Sequence, residues 1–208
     1  HGGGGPGSGP ITVVEKLVPF LPVPRLSKNK KGIYSWGSNY PDTIGRLHSY
    51  FGNFSILVRA YVYIRMLGDN GLKLMTRNAI INANYLKHRL KGVFDIPFAE
   101  GSLHEFVASG VKQKTKGVKV LDIAKALLDY GFHAPTIYFP NNIPEAMMIE
   151  PTESETKETL DRFVDVMLEI NEKINTDPDL IRQTPMNTPV TRLDETKANR
   201  ELDLKWTP

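Results

Sequence analysis

Between Val93 and Ile174 the apolar residues change period in a definite order, and that order limits the fold more than any other feature of the chain. Short apolar runs at Val93 to Phe98 and Leu103 to Ser109 predict two strands. A helix follows at Val120 to Tyr130, stopped by Gly131. Two further strands are expected at Thr136 to Phe139 and Ala146 to Ile149. Thr152, with Glu155 three residues on, has the spacing of a capping box. It is expected to open a helix bearing Leu160, Phe163, Val164, Met167, Leu168 and Ile174. The order β-β-α-β-β-α suits a mostly antiparallel sheet with helices on one face, an α/β unit with α+β character.

The flanking regions are less regular. Residues 51–91 read as connecting helices. The first, Ser55 to Leu67, is apolar nearly all round and predicts a buried core helix. Gly68-Asp69-Asn70-Gly71 should end it. The second carries a one-sided stripe of Leu72, Met75, Ala79, Ala83, Leu86 and Leu90. Residues 1–50 are loop-rich. Ile11 to Val14 predicts a short strand, and the three prolines of Leu17 to Pro24 an extended or turning segment rather than a helix. A turn at Lys28 to Gly32 leads to a strand at Ile33 to Trp36. This region has no pattern that closes its own core, so it is expected to be the tail of a larger domain with exposed apolar surface. Residues 176–208, rich in Pro, Asn and charge, are expected to run over the surface.

Composition excludes several chemistries. There are no cysteines, so a thiolate nucleophile, a disulfide framework and a Cys-ligated metal are out. That usage suits a reducing, cytoplasmic setting. The net charge of +3 is a weak signal for nucleic acid. Lys112, Lys114, Lys116 and Lys119 lack interleaved aromatics and read as a solvated loop, so no nucleic-acid partner is expected. Ile56 to Leu67, broken by Arg59 and Arg65, is too short to span a membrane.

None of the five histidines forms an HxH or HExxH pair, so no zinc motif is present. There is also no GxSxG elbow and no P-loop. His48 and His88 read as ordinary polar residues. His104 and Glu105 fall on a predicted strand, where one of them must face a cleft or the rim. His133 follows the helix-stopping Gly131, and capping of the helix C-terminus is its plain structural reading. The run His1-Gly2-Gly3-Gly4-Gly5-Pro6-Gly7 leaves two readings open. It is either a flexible linker scar or a loop where backbone approaches a ligand or moves. His1 is not expected to be a native start, since translation begins with Met.

Several of these segments, in the same order, resemble one family. His1 to Pro10, Asn82-Ala83-Asn84-Tyr85-Leu86, His104-Glu105-Phe106, Asp129 to Thr136 and Glu150 to Glu155 look like the C-terminal part of glycine dehydrogenase (decarboxylating), the P-protein of the glycine cleavage system. Thr188 to Glu195 resembles the second subunit of its two-subunit form.

The resemblance implies a fold-type I pyridoxal-phosphate enzyme whose small domain is the antiparallel unit at 92–175. It implies decarboxylation of glycine and transfer of the aminomethyl group to the lipoyl arm of H-protein. The implied partners are lipoylated H-protein and the first subunit of the P-protein. The cofactor would act as electron sink. Its Schiff-base lysine is expected upstream of His1, so no catalytic residue is assigned within the chain, which is expected to be inactive alone and to self-associate. His1, Gly2, Gly3, Gly4 and Gly5 match the family's active-site loop. Ser8 and Thr12 depart from its usual residues. His104, Glu105 and His133 are expected near the active site. The alternative, from a different class, is a non-catalytic binding or scaffold module with a mildly basic surface.

Overall fold

A computed structural model describes residues 7–49, 51–98 and 100–206. His1, Gly2, Gly3, Gly4 and Gly5 of the expected loop lie outside the described residues. The chain divides into two compact units, His1–Leu72 and Lys73–Pro208.

In the first unit, Ile11 to Val14 form no strand. They lead instead into a 3-10 helix at Glu15–Phe20, which contains Pro19. Only i to i−3 bonds hold this turn, such as Leu17 N to Val14 O, and Pro19 donates none of them. The extended reading of Leu17 to Pro24 is therefore corrected over its first half. Strand β1 (Arg25–Lys28) pairs antiparallel with β2 (Tyr34–Gly37), in register Leu26 with Trp36. Asn29 makes the connecting turn: its Oδ1 accepts from the amides of Lys31 and Ile33, and Gly32 follows at φ +79°.

Helix α1 (Phe54–Leu90) is interrupted at Gly68, whose φ of 61° and ψ of −172° suit only glycine. The break falls where the sequence predicted it. The expected burial of Ser55 to Leu67 is overturned. Phe54, Tyr61, Ile64 and Met66 are exposed, Met66 by 80%. A two-stranded ribbon and one 3-10 turn cannot enclose a helix that is apolar on every side.

The second unit holds the core. Its sheet has the order β3-β5-β4, all antiparallel, from β3 (Phe106–Ser109), β4 (Thr136–Ile137) and β5 (Ala146–Ile149). The run from Val93 to Phe98 does not become a strand. Val93 and Phe94 continue a turn bonded to Leu90 O, Pro97 has no amide to give, and pairing shrinks to a bridge between Asp95 and Ser109. β3 begins at Phe106, not Leu103, so His104 and Glu105 precede the strand rather than lie on it. β4 stops at Tyr138, which turns to φ +59°.

The remaining elements are α2 (Val111–Lys114), α3 (Val120–Asp129), α4 (Lys157–Thr176), α5 (Pro178–Arg182) and α6 (Glu195–Arg200). One face of the sheet, carrying Phe106, Ala108, Met147 and Ile149, joins Ala83, Leu86 and Leu90 of α1, Ile123 and Leu127 of α3 and Val164, Met167 and Ile170 of α4 in one cluster. Each fully buried aliphatic side chain contributes about 1.5–3 kcal/mol. Leu168, placed in the α4 stripe by its spacing, is exposed; Val166 and Ile170 take the inner positions.

The α4 cap also differs from expectation. Thr156, not Thr152, is the N-cap and accepts from Thr159 N at 3.2 Å. Thr152 to Glu155 form a separate turn, closed by Glu155 N to Thr152 O. The chain after α4 is anchored rather than wholly superficial. Ile181 is buried, and Asp129 accepts from the amides of Met186 and Asn187. Among the described residues no helix is long and apolar enough to cross a membrane.

Candidate functional site

Three segments that look unrelated in the sequence converge beside the end of β5. Asn84, on α1, donates through Nδ2 to the carbonyl of Ser102 at 3.2 Å and of its own helix at Ile80. Asn82 donates to the carbonyl of Thr152 at 2.8 Å. Ala83, between them, and Leu86, two residues after Asn84, are buried in the core. Alternate residues of one helical turn thus grip the approach to β3 and the exit from β5. Tyr85 completes the clamp by donating its hydroxyl to Asp161 of α4, a carboxylate also held by Arg89 and Lys157. The hydrogen bond from Lys157 and that from Tyr85 hold Asp161 below its ordinary carboxylate value.

The clamped strands carry the candidate residues. Phe106 pairs with Ile149 at the end of the ladder, and Glu105 and Glu150 are the residues next to that pair, their carboxylate oxygens within 4.8 Å of each other. The ring of His104 lies between them, its Nε2 3.7 Å from a Glu105 oxygen and 3.8 Å from a Glu150 oxygen. His104 and Glu150 are exposed and Glu105 is half-buried. Such a group can bind a cation, exchange protons with solvent or hydrogen-bond a polar ligand.

His133 is brought to a different environment. It is exposed, and makes no hydrogen bond or ion pair among the described residues. It does not cap α3. That work is done by Gly131 at φ +77°, with Gly131 N bonded to Leu128 O and Phe132 N to Leu127 O. Phe132 then packs edge-on against Phe163.

Sequence reasoning missed Glu150 as a site residue and Asn82 and Asn84 as its support. The signal for Glu150 was its place directly after the last residue of a predicted strand. For the asparagines the signal was their place in a segment that carries the family resemblance, which does not reveal their partners, backbone carbonyls distant in sequence.

The lysine loop is engaged in the protein's own contacts. Lys112 donates to Gly92 O, Lys116 to Asn175, and Lys114 pairs with the buried carboxylate of Glu145 at 2.6 Å. Glu145 also accepts from Val120 N at the start of α3. Burial alone would raise its carboxyl, but the Lys114 and Val120 hydrogen bonds outweigh it and hold the group below its ordinary value. A cleft of about 230 Å³ is lined by Tyr130, Glu169, Lys173 and Thr184 among others. Its charged groups satisfy one another: Lys173 bonds Tyr130 and Glu169, and Tyr130 donates to Glu169.

A lysine that carries an aldehyde cofactor must be available as a neutral amine in a closed pocket. Lys114, Lys157 and Lys173 are instead each raised by a hydrogen bond to a carboxylate, so they stay charged and occupied. These three lysines are therefore not suited to carry such a cofactor.

The chain matches the family described as "Glycine dehydrogenase, C-terminal domain" over residues 75–188. It is 57% identical to a relative from Chloroherpeton thalassium, covering 100% of this chain and 43% of that protein. A relative from Chlorobaculum tepidum is 56% identical, over 98% of this chain and 43% of its own length. One from Listeria monocytogenes is 54% identical, over 99% and 42%. All three are named "Probable glycine dehydrogenase (decarboxylating) subunit 2". The chain spans about two fifths of the length of these relatives. The clamped strand ends, the α3 stop and the turn before α4 all lie within the matched residues, and the chain belongs to the glycine dehydrogenase (decarboxylating) family.

Proposed function

We propose that this chain acts as the C-terminal part of the second subunit of a two-subunit glycine decarboxylase. The observation that carries the reading is identity of 54–57% over 98–100% of the chain to relatives bearing that name. The enzyme removes the carboxyl group of glycine and passes the aminomethyl group to the lipoyl arm of H-protein, with pyridoxal phosphate as cofactor. The cofactor is held by parts of the enzyme other than the described residues, and residues 1–50 pack with those parts. The Cys-free composition is in keeping with work in the reducing cytoplasm. His1 to Gly5 contribute to the active site, as their match to the family's loop implies. His104 and Glu105 line the approach to the site, held there by Asn82 and Asn84.

The reading is tested by combining the full-length subunit with the first subunit, lipoylated H-protein and pyridoxal phosphate. Exchange of the glycine carboxyl carbon with bicarbonate is then measured. Exchange is expected with all components and is expected to disappear when either subunit is omitted. Absence of exchange in the complete mixture overturns the reading. Asn84→Ala tests the clamp: it should lower exchange several-fold while the subunits still assemble.

A further inference from the structure

In the decarboxylase reading His104 and Glu105 only line the approach to the site, and Glu150 has no role. Two carboxylates directly opposite across antiparallel strands repel each other unless a cation lies between them. Here Glu105 and Glu150 adjoin the last ladder pair, Phe106 with Ile149, and their carboxylate oxygens lie within 4.8 Å of each other. Among the described residues neither carboxylate has a lysine or arginine partner. The one neighbouring base is His104, and its distances of 3.7 and 3.8 Å exceed those of a hydrogen bond.

Those distances suit a different arrangement. Three ligands at about 2.0–2.1 Å from a tetrahedral zinc ion lie about 3.4 Å from one another. The Nε2 of His104 is within a few tenths of an ångström of that spacing from both carboxylates. All three ligand atoms fall within 4.8 Å of one another. Their exposure leaves room for water as a fourth ligand. Glu105 is joined to the start of β3 and Glu150 to the end of β5, and Asn84 and Asn82 hydrogen-bond the neighbouring segments at Ser102 and Thr152.

We propose that His104, Glu105 and Glu150 form a surface site for one divalent transition-metal ion of the zinc class, with one nitrogen and two oxygen ligands. Imidazole favours zinc, cobalt or nickel over magnesium and calcium, which prefer all-oxygen sites. The site neutralises the opposed carboxylates and ties the start of β3 to the end of β5. It requires no catalytic step.

The experiment uses the full-length polypeptide, stripped of metal with a chelator, and titrates it with Co²⁺ and Zn²⁺. The expected result is one Co²⁺ per chain, with visible absorption of tetrahedral intensity that Zn²⁺ displaces and Mg²⁺ does not. His104→Ala and Glu150→Gln should each weaken binding at least about tenfold. His88→Ala, at an exposed helix position, should leave it unchanged. Zn²⁺ should raise the Tm of the parent protein but not of the Glu150→Gln variant, whose metal-free Tm shows whether it has folded. Absence of a bound ion overturns the proposal. So does binding that persists in the His104 and Glu150 variants, or that falls equally in His88→Ala, which marks adventitious capture. Because glycine exchange is not the readout, this result is independent of the decarboxylase reading.

Discussion

Glu145 shows how much one side chain can hold together. It is buried, at φ +49°, and its two oxygens take the Lys114 ammonium and the first amide of α3. Val120 has no access to solvent, so removing its acceptor leaves a buried donor unpaired. Glu145→Ala should therefore cost about 1–3 kcal/mol, measured by chemical denaturation at neutral pH. The pH dependence has a defined sign. A carboxyl lowered in the folded state stabilises the fold above its unfolded value of about 4.3, and this is lost as pH falls through the folded value. The gap between parent and variant should close on acidification below pH ~4. A gap that is constant with pH would remove the charge from the explanation. None of this was legible beforehand, since Lys114, Val120 and Glu145 sit in three different segments with no shared pattern.

At the scale of elements, local signals did best where they act through the backbone. Gly131 was read as the stop of α3, and it is, because an αL residue there lets two amides reach back to Leu127 and Leu128. A Cβ at Gly131 would meet nothing within 4 Å, so Gly131→Ala should cost only the strain of a left-handed alanine, about 1–2 kcal/mol. A thermal melt should report this as a fall in Tm without loss of cooperativity. The Ala146 to Ile149 strand was found at its observed bounds. The Val93 to Phe98 strand was not: an apolar run specifies burial, and Phe94 is indeed buried, but not ladder pairing. Thr152 and Glu155 had the capping-box spacing, yet Asn82 holds that turn off the helix and Thr156 takes over.

At the scale of the whole molecule, the two units differ in how much apolar material they bury. Lys73–Pro208 surrounds a closed core, whereas His1–Leu72 leaves Leu26, Trp36, Tyr61, Ile64 and Met66 exposed. Exposed apolar side chains in this number mark a region available for contacts. The 208-residue chain should therefore self-associate, its apparent mass rising with concentration in light scattering. Tyr61→Glu with Ile64→Glu should reduce the effect. A strictly monomeric chain at high concentration would contradict it. The sequence by itself determined the periods: which of the long segments are helical, where α3 stops, that an antiparallel sheet with helices on one face forms the second unit, and which family the chain resembles. These follow from hydrogen bonds and burial patterns closed within a few residues. Only the tertiary structure decided that Glu150 faces Glu105, that Asn82 and Asn84 clamp both strands, and that the helix from Phe54 to Leu67 is uncovered. Those outcomes depend on which distant segments meet and on how much protein is present to bury a surface, and no local period encodes either.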